Sequence, residues 1–108
     1  MTGPGSSTPS RVAVVTGAGR GIGAAIAQTL AAEGFSVAVN YSSSAQAAQD
    51  VVKSIEEAGG RAVALQADIS RAEEAQELMA QVRRELGPVS VLVNNAGLNI
   101  NKSARSMD

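Results

Sequence analysis

The residues best placed to do chemistry fall in one early stretch, Val12-Ala-Val-Val-Thr16-Gly17-Ala18-Gly19-Arg20-Gly21-Ile22-Gly23. A short apolar run ends in a hydroxyl, glycines fall at alternate positions, and a run of helix-forming residues opens. That is the pattern of a strand, a phosphate-binding turn and a helix. Gly17 can take the positive φ of a tight turn. Gly21 has no side chain to keep a pyrophosphate from the backbone, and Gly23 lets the new helix lie against the strand. The helix N-terminus adds unpaired N–H groups and the positive end of its dipole. The chemistry on offer is anion binding, with a nucleotide as guest. A plain glycine-rich loop has the same composition, so the pattern alone leaves both readings open.

Composition removes most other chemistries. The 108 residues contain no cysteine and no histidine, which excludes disulfides, Cys/His zinc sites, cysteine nucleophiles and a Ser-His-Asp triad. No metal site is predicted. Lys+Arg 9 against Asp+Glu 10 leaves a net charge of −1, so no bulk field draws the chain to nucleic acid or to a membrane. No apolar run approaches membrane-spanning length, and the expected compartment is the cytoplasm. The length fits one domain or part of one. With one Phe, one Tyr and no Trp, the core must come from alanine and aliphatic residues, which suits tight helix-on-sheet packing.

The elements that must position the glycine turn follow from periodicity. Met1 to Ser10 is rich in Gly, Pro, Ser and Thr and is expected to be a disordered tail without the plan of a signal peptide. Arg11 to Thr16 is a first strand, apolar on both faces. The helix after the turn runs to about Glu33, with Ile22, Ala25, Ile26, Thr29 and Leu30 as its expected buried stripe and Gly34 as its stop. Phe35 to Asn40 is a second strand, followed by the polar turn Tyr41-Ser42-Ser43-Ser44. Ser43 and Gln46 suit a capping box for a helix that buries Ala48, Val51, Val52 and Ile55 and ends at Gly59-Gly60. Arg61 to Ala67 is a third strand, with Asp68-Ile69 after it. Ser70 and Glu73 suit a second capping box. The third helix has Ala75, Leu78, Met79, Val82 and Leu86 inside, with Glu73, Glu74, Glu77, Arg84 and Glu85 on a solvated face. Gly87-Pro88 ends it, and Val89 to Val93 is a fourth strand leading into Asn94-Asn95-Ala96-Gly97. From Leu98 to Asp108 the chain is polar and without period. Four strands alternating with three helices predict an α/β fold built of right-handed βαβ units. Its expected form is a partial Rossmann (doubly wound) fold, a parallel sheet in the order 3-2-1-4.

Three of these features carry a family resemblance: T-G-x-x-x-G-x-G over Thr16 to Gly23, Asp68 after the third strand, and N-N-A-G at Asn94 to Gly97. Together they resemble the short-chain dehydrogenase/reductase family from Arg11 to about Gly97. The look is most like 3-oxoacyl-acyl-carrier-protein reductases and naphthol-type reductases, which share V-N-Y-x-S, here Val39 to Ser43. The resemblance implies that the residue ending the second strand helps select the cofactor. An acidic side chain there would hold the ribose 2′-hydroxyl of NAD; Asn40 is neutral. Arg20 can pair with a phosphate through its guanidinium fork, or lie as a solvent-exposed charge. Tyr41, Ser42 and Ser43 add hydroxyls and backbone donors. All this favours NADP(H) over NAD(H). By the same resemblance Asp68, with Ile69 beside it, meets the adenine amino group. A helix cap is the alternative, but Ser70 already suits that job. Asn94 bridges backbone strands, and Asn95, Ala96 and Gly97 lie against the adenosine ribose, where a simple turn is equally compatible. With Gly17, Gly19, Gly21, Ile22 and Gly23, these form the expected cofactor-binding set.

The resemblance also implies what is missing. The family's hydride chemistry uses a Tyr-x-x-x-Lys pair on a later helix and an upstream Ser, with the Tyr as general acid or base. This chain has one tyrosine, Tyr41, with Ala45 where the lysine would stand, and its lysines are Lys53 and Lys102. No catalytic residue is assigned, and residues 11–108 are expected to be a truncated NADP-binding Rossmann domain, inactive alone. The expected function is the cofactor-binding half of an oxidoreductase that reduces a carbonyl, such as a 3-oxoacyl thioester, by hydride transfer. The alternative is a non-catalytic nucleotide-binding or partner-dependent interaction module. In either case the fourth strand is an uncovered edge with apolar Val89, Val91, Leu92 and Val93, a place for a partner or for self-association.

Overall fold

The computed structural model of the chain describes residues 11–19 and 21–95; the expected tail and everything from Ala96 onward lie outside them. The described elements are β1 (Val12–Val15), α1 (Gly21–Ala32), β2 (Ser36–Tyr41), α2 (Ala45–Glu57), β3 (Arg61–Gln66), α3 (Ala72–Glu85) and β4 (Val89–Val93). Every pairing is parallel, and the strand order is 3-2-1-4, as the alternation of elements predicts. Val14 lies opposite Ala38 on one side and Leu92 on the other. Along β4 the register slips once, so that Val12 faces Val89 while Ala13 faces Val91.

The two-residue period of a strand divides β1 between two cores. Ala13 and Val15, with Val37 and Val39 of β2, meet Ala27 of α1 and Ala48, Val51, Val52 and Ile55 of α2. Val12 and Val14, with Ala38 and Leu65, meet Leu78 and Val82 of α3. All four β1 side chains are fully buried, which is why this strand has no polar face to show in its sequence.

Three expectations are corrected. On α1 the buried residues are Gly23 and Ala27, with Ala24, Ile26, Leu30 and Ala31 partly covered. Ala25 and Thr29 face solvent, and Ile22 is 72% exposed. The helix meets the sheet through its smallest side chains because these let the backbones approach. Of the stripe read from hydrophobicity, Ile26 and Leu30 therefore pack against the core, while Ile22, Ala25 and Thr29 lie off the contact face.

Neither capping box forms. Ser44, not Ser43, is the N-cap of α2 and makes no side-chain cap bond, while Gln46 Nε2 donates to Asp50 Oδ1 at 2.9 Å. Arg71 is the N-cap of α3, Ser70 turns back to Asp68, and Glu74 rather than Glu73 accepts a backbone N–H, that of Asp68, at 2.7 Å. The third correction is a boundary: β2 runs one residue past Asn40, through Tyr41.

Candidate functional site

The C-terminal ends of the strands converge on the glycine turn. Gly17 takes φ 61° and Gly21 φ 63°, left-handed values that only glycine adopts without strain. A Cβ on Gly21 would meet nothing within 4 Å, so the turn is open at that point. Gly23 is the opposite case. A Cβ there would sit 2.6 Å from Asn95 Nδ2 and 2.9 Å from Ala18 Cα, and would press hardest on the Gly17 carbonyl oxygen. The missing side chain at 23 is what lets α1 start against the turn itself.

The turn is fastened from both sides. Thr16 N–H donates to the Val93 carbonyl at 3.0 Å, and Thr16 Oγ1 donates to Asn94 Oδ1 at 3.2 Å. Asn95 Nδ2 donates to the Gly17 carbonyl at 3.1 Å. From the β2 side, Asn40 Oδ1 accepts the Gly17 N–H at 3.2 Å, and the Asn40 carbonyl accepts the Ala18 N–H at 2.8 Å. Gly19 rests on the start of α2, 3.6 Å from Ala48 N when a Cβ is built on it.

Two clefts adjoin this turn and share Gly17 and Ser42. One, of about 330 Å³, is lined by Gly17, Asn40, Ser42, Ala67, Asp68, Ile69, Ser70 and Asn94. The other, of about 140 Å³, is lined by Gly17, Gly19, Tyr41, Ser42, Ser43 and Ser44. The first holds one carboxylate, that of Asp68. The second holds hydroxyls and glycine and no acidic side chain. A larger groove along the flank of α3, between Ala75, Gln76, Met79, Ala80, Arg83 and Arg84, is lined by a single helix.

The expected site residues fare differently. Gly17, Gly19, Tyr41, Ser42, Ser43, Asp68 and Ile69 come together around the clefts. Gly21, Ile22 and Gly23 form the first turn of α1, and Asn95 holds the turn rather than lining a cleft. Arg20, Ala96 and Gly97 lie outside the described residues. Asn40 departs most from expectation. It does not end its strand, it is 2% exposed, and its amide is spent on the backbone, with Nδ2 donating to the Leu65 and Ala67 carbonyls at 3.2 Å each. Its side chain is a floor for the cleft and not a free group at its mouth.

Asp68 is held by Ser70, whose Oγ and N–H donate to Asp68 Oδ1 at 2.6 and 3.1 Å. These bonds favour the charged form and hold the carboxyl below its ordinary value, with the side-chain bond the larger cause and Arg71 a smaller one. The sequence reading placed Thr16 in the glycine-turn motif without a bonding role, and it passed over Gln66. Gln66 Nε2 donates to the Ser42 carbonyl at 3.0 Å and so shapes the wall between the clefts. Nothing in the sequence marked it, because its reach to Ser42 depends on the β2–β3 register that sets it opposite Tyr41.

A parallel sheet in this order, with a glycine turn at the end of its first strand, defines the nucleotide-binding class of α/β folds. The model of the short chain dehydrogenase family matches residues 11–108, and the chain belongs to that family. It is 50% identical over 93 residues to an uncharacterised oxidoreductase of Methylorubrum extorquens, covering 86% of this chain and 38% of that protein. It is 46% identical over 89 residues to a 3-oxoacyl-[acyl-carrier-protein] reductase of Staphylococcus epidermidis, covering 82% and 36%. Among solved structures it matches a dehydrogenase/reductase from Sinorhizobium meliloti with TM-score 0.77 and 49% identity, covering 82% and 35%. The chain thus spans a little over a third of the length of these relatives. Among the described residues there is no His/Cys/Asp/Glu group able to hold a metal, and no helix is long and apolar enough to cross a membrane.

Proposed function

We propose that this chain forms the NADP(H)-binding part of a short-chain oxidoreductase that reduces a carbonyl such as a 3-oxoacyl thioester. The observation that carries the reading is the smaller cleft, lined by Gly19, Tyr41, Ser42, Ser43 and Ser44 without a carboxylate. A 2′-phosphate would meet hydroxyl donors there and no repelling charge, and Arg20 would add its guanidinium. In the larger cleft Asp68, kept ionised by Ser70, would accept from the adenine amino group, with Ile69 against the ring. The pyrophosphate would lie over Gly21, where the backbone is open, and draw on the N–H groups of Ile22 and Gly23 at the start of α1. Asn95, Ala96 and Gly97 would take the adenosine ribose. When bound, the nicotinamide supplies the hydride. This chain's own residues bind and orient the dinucleotide, and none of them is assigned a proton-transfer step.

The test is a calorimetric titration of the chain with NADPH and with NADH. NADPH should bind more tightly by roughly tenfold or more, the worth of about one charge-assisted contact, and Arg20→Glu and Ser42→Asp should each remove that preference. Equal affinities, or a preference for NADH, would sink the NADP assignment. A second reading is supported by the exposure of the fourth strand: the half-fold acts as a partner-dependent module whose β4 edge another polypeptide covers. Cooperative unfolding of the isolated chain, followed by a thermal melt, separates the two: a chain that folds stably by itself favours the module, and one that does not favours a part of a longer enzyme.

A further inference from the structure

We propose that Asn40 is a positioning residue that fastens the β1–α1 turn to the β3–α3 connection, so that both walls of the clefts move as one body. This deepens the cofactor reading above and rests on it only for its binding arm. Asn40 is 2% exposed and lines the larger cleft beside Gly17, which the two clefts share. Its oxygen accepts the Gly17 N–H from one wall. Its nitrogen donates to Leu65 and Ala67 in the other wall, and at 3.4 Å to the Tyr41 carbonyl. Its own carbonyl takes the Ala18 N–H.

A short side chain that offers an acceptor and two donors at once must be an amide. Aspartate would keep the bond to Gly17 but set a negative oxygen against two carbonyl oxygens. Alanine would remove the side-chain bonds to the Gly17 N–H and to the Leu65 and Ala67 carbonyls in a buried place, while the backbone bond from the Ala18 N–H remains. The arrangement also decides which amides an anion can reach. The N–H groups of Gly17 and Ala18 are taken by Asn40, so a phosphate must draw on the amides that follow them, those of α1's first turn included. Residue 40 therefore shapes how any dinucleotide sits and does not read its 2′ substituent.

The first test needs no cofactor. Hydrogen exchange of the unmodified chain should show the Gly17 amide slowed by roughly tenfold or more relative to an open turn. Asn40→Ala should release it while leaving Val37, in the buried part of β2, protected. A Gly17 amide exchanging at the open rate in the unmodified chain overturns the proposal, whether or not any variant folds.

The second test is the pair of affinities. Asn40→Asp and a folded Asn40→Ala should weaken NADPH and NADH alike, by roughly tenfold for the loss of a buried hydrogen-bonded link, with their ratio unchanged within about twofold. A switch of preference toward NADH in Asn40→Asp would show that the side chain reads the ribose directly, and undiminished affinity in folded Asn40→Ala would show that it positions nothing; either overturns the proposal. If the unmodified chain binds neither dinucleotide, the cofactor reading fails and the exchange result still decides the clamp.

Discussion

Gly23 and Asp68 show how single residues hold the site. At Gly23 the space for a Cβ is already filled by the Gly17 carbonyl, Asn95 Nδ2 and Ala18 Cα, and two of the three are backbone. Gly23→Ala is expected to lower stability by about 1–3 kcal/mol, the usual cost of overpacking, read as a fall in the urea midpoint at unchanged slope. An unshifted midpoint would mean that α1 can slide away from the turn. At Asp68 the sign of the pH effect follows from the lowered pKa. The stabilising contribution is present above the ordinary carboxylate value and is lost as the pH falls through the depressed one. In Ser70→Ala the Asp68 pKa should rise back toward the ordinary value, because the larger of its two hydrogen bonds is gone. A carboxyl titration followed by NMR checks this, and an unmoved pKa would place the cause elsewhere. Ion pairs contribute little here: Arg84–Glu77, at 3.4 Å with side chains 63% and 69% exposed, is a surface pair.

Among the elements, α1 is the one whose packing contradicts its hydrophobicity. Its fully buried residues are Gly23 and Ala27, with Ile26 and Leu30 only partly covered against the core, while Ile22 is largely exposed. Ala27→Leu is therefore expected to cost about 1–3 kcal/mol by forcing the helix off the strands. Ile22→Ser should change stability by no more than about 0.5 kcal/mol, as an exposed substitution does. Thermal melts of the two variants make the comparison, and the reverse ranking would restore the stripe that the sequence suggested. In α2 pattern and packing agree, since Ala48, Val51, Val52 and Ile55 are both the periodic and the buried residues. Three of the four are branched side chains of ordinary size, so hydrophobicity and contact coincide.

In the described molecule as a whole, the sheet is covered unevenly. β1 and β2 are buried between helices, whereas β4 is paired to β1 alone among the described strands, and Leu92 is 55% exposed. Unpaired edge groups and thin cover allow local opening. Amide exchange is expected to be faster throughout β4 than in β2, by roughly tenfold or more for a strand open on one side. Equal protection of the two strands would show that something covers the edge in solution. Because Thr16 and Asn95 tie the turn to β4 and its end, opening of that edge should also loosen the glycine turn. Filling the edge and forming the site are then linked.

The order of elements, the parallel sheet in the order 3-2-1-4 and the position of the glycine turn were determined by the sequence alone. The elements and the turn depend on local spacing, namely apolar runs of strand length, helical periods, and glycines where the backbone must turn, and the strand order follows from the doubly wound fold they point to. The family was legible for the same reason, since Thr16 to Gly23, Asp68 and Asn94-Asn95 sit where strands end. Only the tertiary structure decided what the polar side chains at those ends do. Asn40 became a buried clamp because β3 places two carbonyls within its reach. Ser70 became the partner of Asp68 because the chain turns back before α3 begins. The buried face of α1 was hidden for a related reason: how closely a helix can approach a sheet depends on the size of its contact residues, and that is a property of two elements together.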